Sequence, residues 1–298
     1  MRFLHFRGIR ATVAASIVIS GPILAPPTLE DLGNIPYSGI YDAPVQLVNG
    51  VYEGEPFVPG GLARPRVELL GDLYVTEDID GDGTEDAFVL LNESSGGTGS
   101  FLYIAAVTHA DGTARNVGSV RIGDRVDVMA LRAVDREAIL DYVAAGPDDP
   151  ACCPTLMVSG RYGMNDGHLT ELSRQEHGTL SVERLAGAPW RLLRFGWDEP
   201  VPEGIGITAE FEGDRISGSA GCNSYFATVK GPTPYELGIG SVGSTRKACP
   251  APEMEAEARF LKALENATQF SFVLGKLVID YQLGETRSSL VFERGEAR

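Results

Sequence analysis

This sequence predicts an α+β fold that is predominantly β, on three observations. Short apolar runs recur between Gly, Asn and Asp turn signals through most of the chain. A single segment, Pro252 to Ala267, carries the three- and four-residue apolar spacing of a helix. With 298 residues and 43% of them hydrophobic, the chain has material for two ordinary domains with real cores. The expected layout is a β-rich N-terminal domain over 37–172, then a small domain of antiparallel strands with one helix over 185–294. Polar stretches at 26–36 and 173–184 read as linkers.

The N-terminus reads as an export signal. Arg2, Arg7 and Arg10 precede an uncharged apolar run from Ala11 to Ala25, too short to span a bilayer but suited to a signal-peptide core. The expected signal peptide is therefore 1–25, although Pro26 directly after Ala25 is unfavourable for cleavage and leaves an uncleaved anchor as the alternative. No cysteine in this region could carry a lipid, and no later segment is apolar enough to span a membrane. The localisation that follows is periplasmic or secreted.

Within the first domain, Val45 to Val48 and Val51-Tyr52 flank Asn49-Gly50, the dipeptide that suits a type I′ hairpin turn. Phe88 to Leu91 and Phe101 to Val107 read as strands around the Ser/Gly-rich loop 94–100. Asp111-Gly112 marks a turn before Val117 to Ile122, and a short helix is expected near 135–143. In the second domain Glu212-Gly213-Asp214 turns Ile207–Phe211 back onto Arg215–Ser219. Pro252 suits a first helical position, and Glu253, Glu255 and Glu257 favour the positive end of the helix dipole. Met254, Ala258, Leu261 and Leu264 form the expected inward face. Phe270–Leu274, Leu277–Tyr281 and Ser289–Phe292 close the domain as strands.

Charge removes some functional classes. Lys plus Arg total 25 against 41 Asp plus Glu, a formal net charge of −16 that becomes −19 without residues 1–25. Such a chain has no basic footprint for nucleic acid, and anionic membrane surfaces repel it.

The sharpest chemical motif is Asp78-Ile79-Asp80-Gly81-Asp82-Gly83-Thr84-Glu85-Asp86. Carboxylates at alternate positions converge when glycines let the chain turn tightly, and a cation would offset their repulsion. Calcium suits hard oxygen donors in flexible geometry. The expected ligands are the side chains of Asp78, Asp80, Asp82 and Asp86, with the Thr84 carbonyl between them. Val89 at the twelfth position, and a strand following, exclude a helix–loop–helix calcium hand. The pattern instead resembles the β-hairpin calcium loops of FG-GAP repeats, in a single copy that implies no propeller. The competing reading is a solvated acidic turn.

Catalytic signatures are missing from the sequence. It holds no Gly-x-Ser-x-Gly elbow, phosphate loop or His-Glu-x-x-His string. His109, His168 and His177 read as surface residues, and Ser94, Ser95 and Ser100 have no evident base. Trp190, Trp197 and Tyr225 read as packing or rim residues.

Gly221-Cys222-Asn223 and Ser244-Thr245-Arg246-Lys247-Ala248-Cys249, preceded by Trp190 and followed by an acidic helix and strands, resemble the META domain of HslJ-like envelope proteins. The resemblance covers roughly residues 185–294. It implies a small envelope or secreted protein linked to stress tolerance, with no established catalytic centre, and a Cys222–Cys249 disulfide, which export would permit. Tyr37 to Asp42 and Asp149 to Thr155 resemble an uncharacterised domain that accompanies META domains in bacterial envelope lipoproteins. The adjacent pair Cys152-Cys153 stays open between a vicinal disulfide, buried thiols and cross-domain partners. A zinc site with His168 and His177 fits no familiar spacing. The resulting expectation is a non-enzymatic exported protein that binds an envelope protein or a cell-wall component. The alternative is a hydrolase or peptidase inhibitor acting through the N-terminal domain.

Overall fold

Continuous and alternating apolar runs sort the N-terminal half into two main antiparallel sheets, beside a small two-stranded one. The computed structural model describes residues 25–56, 58–110, 113–150 and 153–295. The expected signal segment up to residue 24, the Asp111-Gly112 turn and Cys152 lie outside the described residues. A short helix, α1 (Leu29–Leu32), precedes β1 (Pro36–Tyr37), β2 (Val45–Gln46), β3 (Val51–Glu53), β4 (Arg66–Glu77), β5 (Asp86–Ser94), β6 (Phe101–Ala110) and β7 (Thr113–Asp124). The first sheet runs β3-β4-β5-β6-β7. The second, β11-β10-β9-β8, is made of β8 (Asp127–Val134), β9 (Glu137–Ala144), β10 (Leu156–Asn165) and β11 (His168–Thr179).

Ala87 to Leu91 are all fully buried because β5 is covered on both faces. Phe88 and Leu90 pack with Ile104 against Leu140, Tyr142 and Val158 of the second sheet. Val89 and Leu91 point the other way, onto Leu32, Tyr37 and Leu47. Residues 26–36, expected as a linker, therefore belong to the core. Thr28 and Asp31 form a capping box on α1, and the buried Tyr37 hydroxyl donates to the Leu32 carbonyl at 2.8 Å. Polar composition concealed this because a few scattered residues, Pro27, Leu32, Gly33 and Ile35, carry the burial. Asn49 and Gly50 take the positive φ values of 52° and 82° that a type I′ turn needs, although the expected hairpin shrinks to one bridge, Val48 to Val51.

Two further expectations are corrected. The short helix near 135–143 is a hairpin. Asp135 and Arg136 turn β8 into β9 with φ of 53° and 66°, and Ala138, Leu140 and Tyr142 alternate inward with a period of two. The linker at 173–184 is largely strand, since β11 continues to Thr179 as the edge of the second sheet. Its residues 171–176 are exposed, so the backbone ladder to β10 rather than an apolar pattern holds them in place.

The C-terminal unit opens with a 3₁₀ turn, Val182–Leu185. Then follow β12 (Trp190–Phe195), β13 (Glu199–Pro200), β14 (Thr208–Glu212), β15 (Arg215–Ser219), β16 (Ser224–Lys230), β17 (Gly238–Ile239), β18 (Gly243–Ser244), α2 (Ala251–Glu265), β19 (Ala267–Val273), β20 (Lys276–Leu283) and β21 (Thr286–Arg294). The strand order β17-β16-β15-β14-β12-β21-β20-β19 curls until its ends meet, where the amide of Phe270 donates to the Tyr235 carbonyl at 2.8 Å. Helix α2 packs against the inside of this curl through Ala256, Phe260, Ala263 and Leu264. That face differs from the expected one: Met254 and Ala258 are exposed, and Leu264 alone of the four is fully buried. Two apolar stripes run along this helix, and the fold selects the one bearing Phe260, whose ring meets Tyr225 and Phe292 edge-on.

The two units share a packed junction. Val143 and Met157 of the second sheet join the C-terminal core. The β19–β20 turn at Leu274-Gly275 reaches across, and its Gly275 amide donates to the Val128 carbonyl at 2.9 Å.

Candidate functional site

Three places hold chemistry worth building up: the acidic loop, the cysteine strings and the junction between units. In the loop, Gly81 and Gly83 take φ of 85° and 90°, which folds the chain back on itself. Carboxylate oxygens of Asp78, Asp80 and Asp86 then lie within 4.8 Å of one another. Asp78 accepts from the Gly81 amide at 2.7 Å and from the Gly83 amide at 3.3 Å. Asp82 stands apart from the trio, its Oδ1 accepting from the amide and hydroxyl of Thr84. Those hydrogen bonds, the hydroxyl's foremost, hold the Asp82 carboxyl below its ordinary range. Asp86 is buried and bonds the amides of Ile79 and His109, both at 3.0 Å. Burial pushes its carboxyl up, against the pull of those amides. Asp86 is thus already a structural tie between the loop, β5 and β6. The Arg136 guanidinium lies against Gly81 at the turn of the loop.

The cysteine strings come together as one knot. Cys222 and Cys249 form a disulfide across a sequence separation of 27. Beside it Asn223, 2% exposed, donates its amide to Glu257 Oε2 at 2.7 Å and its Nδ2 to Glu257 Oε1 at 3.0 Å. Its Oδ1 accepts from the Thr245 hydroxyl at 2.8 Å and the Lys247 amide at 2.7 Å. Both strings and the helix are therefore tied to one asparagine. Asn223 lay inside a motif that the sequence analysis singled out, but Glu257 read only as a favourable charge at the helix start. Its place on the inward face was the missed signal.

At the junction a cavity of about 670 Å³ opens between the two units. Its walls are mixed: Leu70, Leu102 and Val128 on one side and Phe272 and Val273 on the other are apolar, while Arg125, Asp127 and Gln269 add polar groups. Tyr235 crosses it: its hydroxyl lies 3.1 Å from Asp127 Oδ2 and also contacts the Pro154 carbonyl. Burial pushes the Asp127 carboxyl above its ordinary range, against the pull of the Tyr235 hydroxyl.

Residues 183–295 match the family model of the META domain. The C-terminal unit is a META domain. Two solved structures are similar to part of this chain. One is an NMR structure of a protein from Burkholderia xenovorans, 24% identical, covering 39% of this chain and 86% of that one with a TM-score of 0.32. The other, also by NMR, is 19% identical and covers 39% of this chain and 95% of that one, again with a TM-score of 0.32. No curated protein matches the chain.

Of the aromatic residues singled out in the sequence, Trp190 is buried in the META core with its Nε1 donating to the Leu185 carbonyl at 2.9 Å. Tyr225 is buried too and donates to the Thr208 carbonyl at 2.9 Å, whereas Trp197 is about half exposed. Among the histidines, His109 contacts the Glu85 carbonyl through Nδ1, and His168 is exposed at the start of β11. His177 belongs to a polar row across the second sheet. Arg132 pairs with Asp141 at 2.6 Å, Ser159 donates to Asp141 at 2.6 Å, and His177 Nε2 lies 2.8 Å from Ser159 Oγ. Because the serine proton goes to Asp141, the imidazole must donate through Nε2 rather than accept as a base. The serine sits between acid and histidine, whereas nucleophile activation needs the histidine in the middle. Cys153 is in a disulfide and so offers no thiolate to a zinc ion.

Proposed function

We propose that this chain is a non-enzymatic, exported protein of the periplasm or extracellular space, serving envelope stress tolerance by binding an envelope protein or cell-wall component. The observation that carries this is the 670 Å³ cavity lined by both units, a volume within the range of ligand sites and apolar with a few polar groups. Sites of this kind favour domain interfaces. The META domain supports the stress-related envelope setting.

Val273 is partly exposed and lines the cavity, so Val273→Trp fills its mouth without disturbing the core. Thermal-shift screening of soluble wall fragments and envelope extracts against the protein should find a stabilising ligand. That shift should vanish in Val273→Trp while far-UV circular dichroism stays unchanged. A ligand that stabilises Val273→Trp as much as the parent would rule out the cavity as its site.

We further propose that the acidic loop holds a structural calcium ion. Asp78, Asp80 and Asp86 would serve as ligands, with Asp82 and the Thr84 carbonyl completing the set as the turn adjusts. With a dissociation constant of ~10⁻⁴ M, typical of weak extracellular sites, about 5 mM calcium adds roughly 2 kcal/mol of stability. A melt in chelator and then in calcium should show a rise of about 4–8 °C. Asp80→Ala, on an exposed side chain, should abolish it. Equal melting temperatures in both buffers would return the loop to an acidic turn satisfied by its own hydrogen bonds.

A further inference from the structure

On the other side of Phe272 from the large cavity, a cleft of about 430 Å³ lies between the second sheet and the META domain. Its floor is the polar row Arg132–Asp141–Ser159–His177, an outward-facing line across β8, β9, β10 and β11. Its opposite wall brings in Arg184 and Arg294, with Met129 and Trp190 at the back.

The charges in this cleft do not cancel. Arg132 is neutralised by Asp141. Glu183 remains ionised, its carboxyl held below the ordinary range chiefly by the Ser181 hydroxyl. Arg184 donates only to the His177 carbonyl at 3.2 Å, and Arg294 lies 5.7 Å from the Trp190 ring centre. Neither arginine enters an ion pair among the described residues. Two guanidinium groups therefore face one carboxylate. On a chain of net charge −16, whose overall field repels anions, such a locally basic and concave spot is unusual.

We propose that this cleft is a second binding site, taking a carboxylate or phosphoryl group carried on a small apolar body. Arg184 and Arg294 supply charge-assisted hydrogen bonds to the anion, and the planar guanidinium fork suits both kinds of oxyanion. Met129 and the edge of Trp190 receive the apolar part. Asp141, already paired with Arg132 and Ser159, keeps the row rigid without repelling the ligand. The cleft does not depend on the larger cavity being occupied, and Val273 is not part of its wall.

Amide chemical-shift titrations of the oxidised protein with phenyl phosphate and with benzoate test the site, with benzyl alcohol as the uncharged analogue. Saturable shifts at Ser159, His177 and Arg294 are expected with at least one of the anions, and preference between the two identifies the group the site takes. Benzyl alcohol should bind roughly tenfold more weakly or worse. Arg184→Gln with Arg294→Gln should cost the anion roughly tenfold or more in affinity, while the Lys versions retain part of it. Both side chains are exposed, so an unchanged melt is expected for each variant. Arg215→Gln, whose side chain stacks on Phe226, should bind as the parent does. The proposal is overturned by the absence of saturable shifts at tens of millimolar of both anions. Equal affinity for benzyl alcohol, or full affinity in the double Gln variant, overturns it as well.

Discussion

Asn223→Ala is expected to destabilise the META domain by about 2–4 kcal/mol, far more than the loss of one ordinary side-chain hydrogen bond. The side chain serves three groups at once. Its Oδ1 collects the Thr245 hydroxyl and the Lys247 amide, and its Nδ2 meets the Glu257 carboxylate. Thr245 and Lys247 are exposed enough to turn to water. Glu257, 7% exposed and without an ion-pair partner among the described residues, is not. Most of the cost therefore falls on a buried carboxylate left with the Asn223 backbone amide alone. Urea unfolding followed by tryptophan fluorescence measures it, since Trp190 lies in the same core. Glu257→Gln should lose less, because it keeps the shape and one acceptor. A double-mutant cycle between the two positions should show coupling of about 1 kcal/mol or more. A loss under about 0.5 kcal/mol for Asn223→Ala would mean that water replaces the asparagine and that the knot adds little.

Replacing Cys222 and Cys249 together with serine is expected to cost about 3–4 kcal/mol, chiefly because the unfolded chain regains the freedom that the cross-link removes. The separation of 27 residues sets that scale. Mutation is cleaner than a reductant here, since Cys153 is also in a disulfide. The segment released includes β16, β17 and β18, whose pairing closes one end of the curled sheet. Losses from this variant and Asn223→Ala should sum to less than their separate values added, because both order the same two strings. If the serine variant loses less than about 1 kcal/mol, the asparagine network alone holds those strings together.

Much of the architecture was legible wherever local chemistry and tertiary packing agree. Asn49-Gly50 and Glu212-Gly213-Asp214 turn because Asn49, Gly50 and Gly213 take left-handed conformations at little cost, and strands follow on either side. The Pro252 segment became a helix, Ala251–Glu265, because its spacing, proline and acidic start all favour one. The acidic loop folded back at its glycines, as its sequence predicts. Residues 26–36 and β11 were misread for one reason: both are held by hydrogen bonds and a few anchors, which polar composition hides.

What the sequence by itself determined was therefore the β-rich class, the turns, the helix and the cysteine strings of the META domain, since each depends on neighbours a few residues away. The tertiary structure decided which helical stripe turned inward, and so buried Glu257 against Asn223. It also brought the carboxylates of Asp78, Asp80 and Asp86 close to one another and opened two cavities at a junction between distant segments. Those outcomes depend on contacts between residues far apart in the chain, where side-chain volume and backbone path in three dimensions, rather than local propensity, set which groups meet.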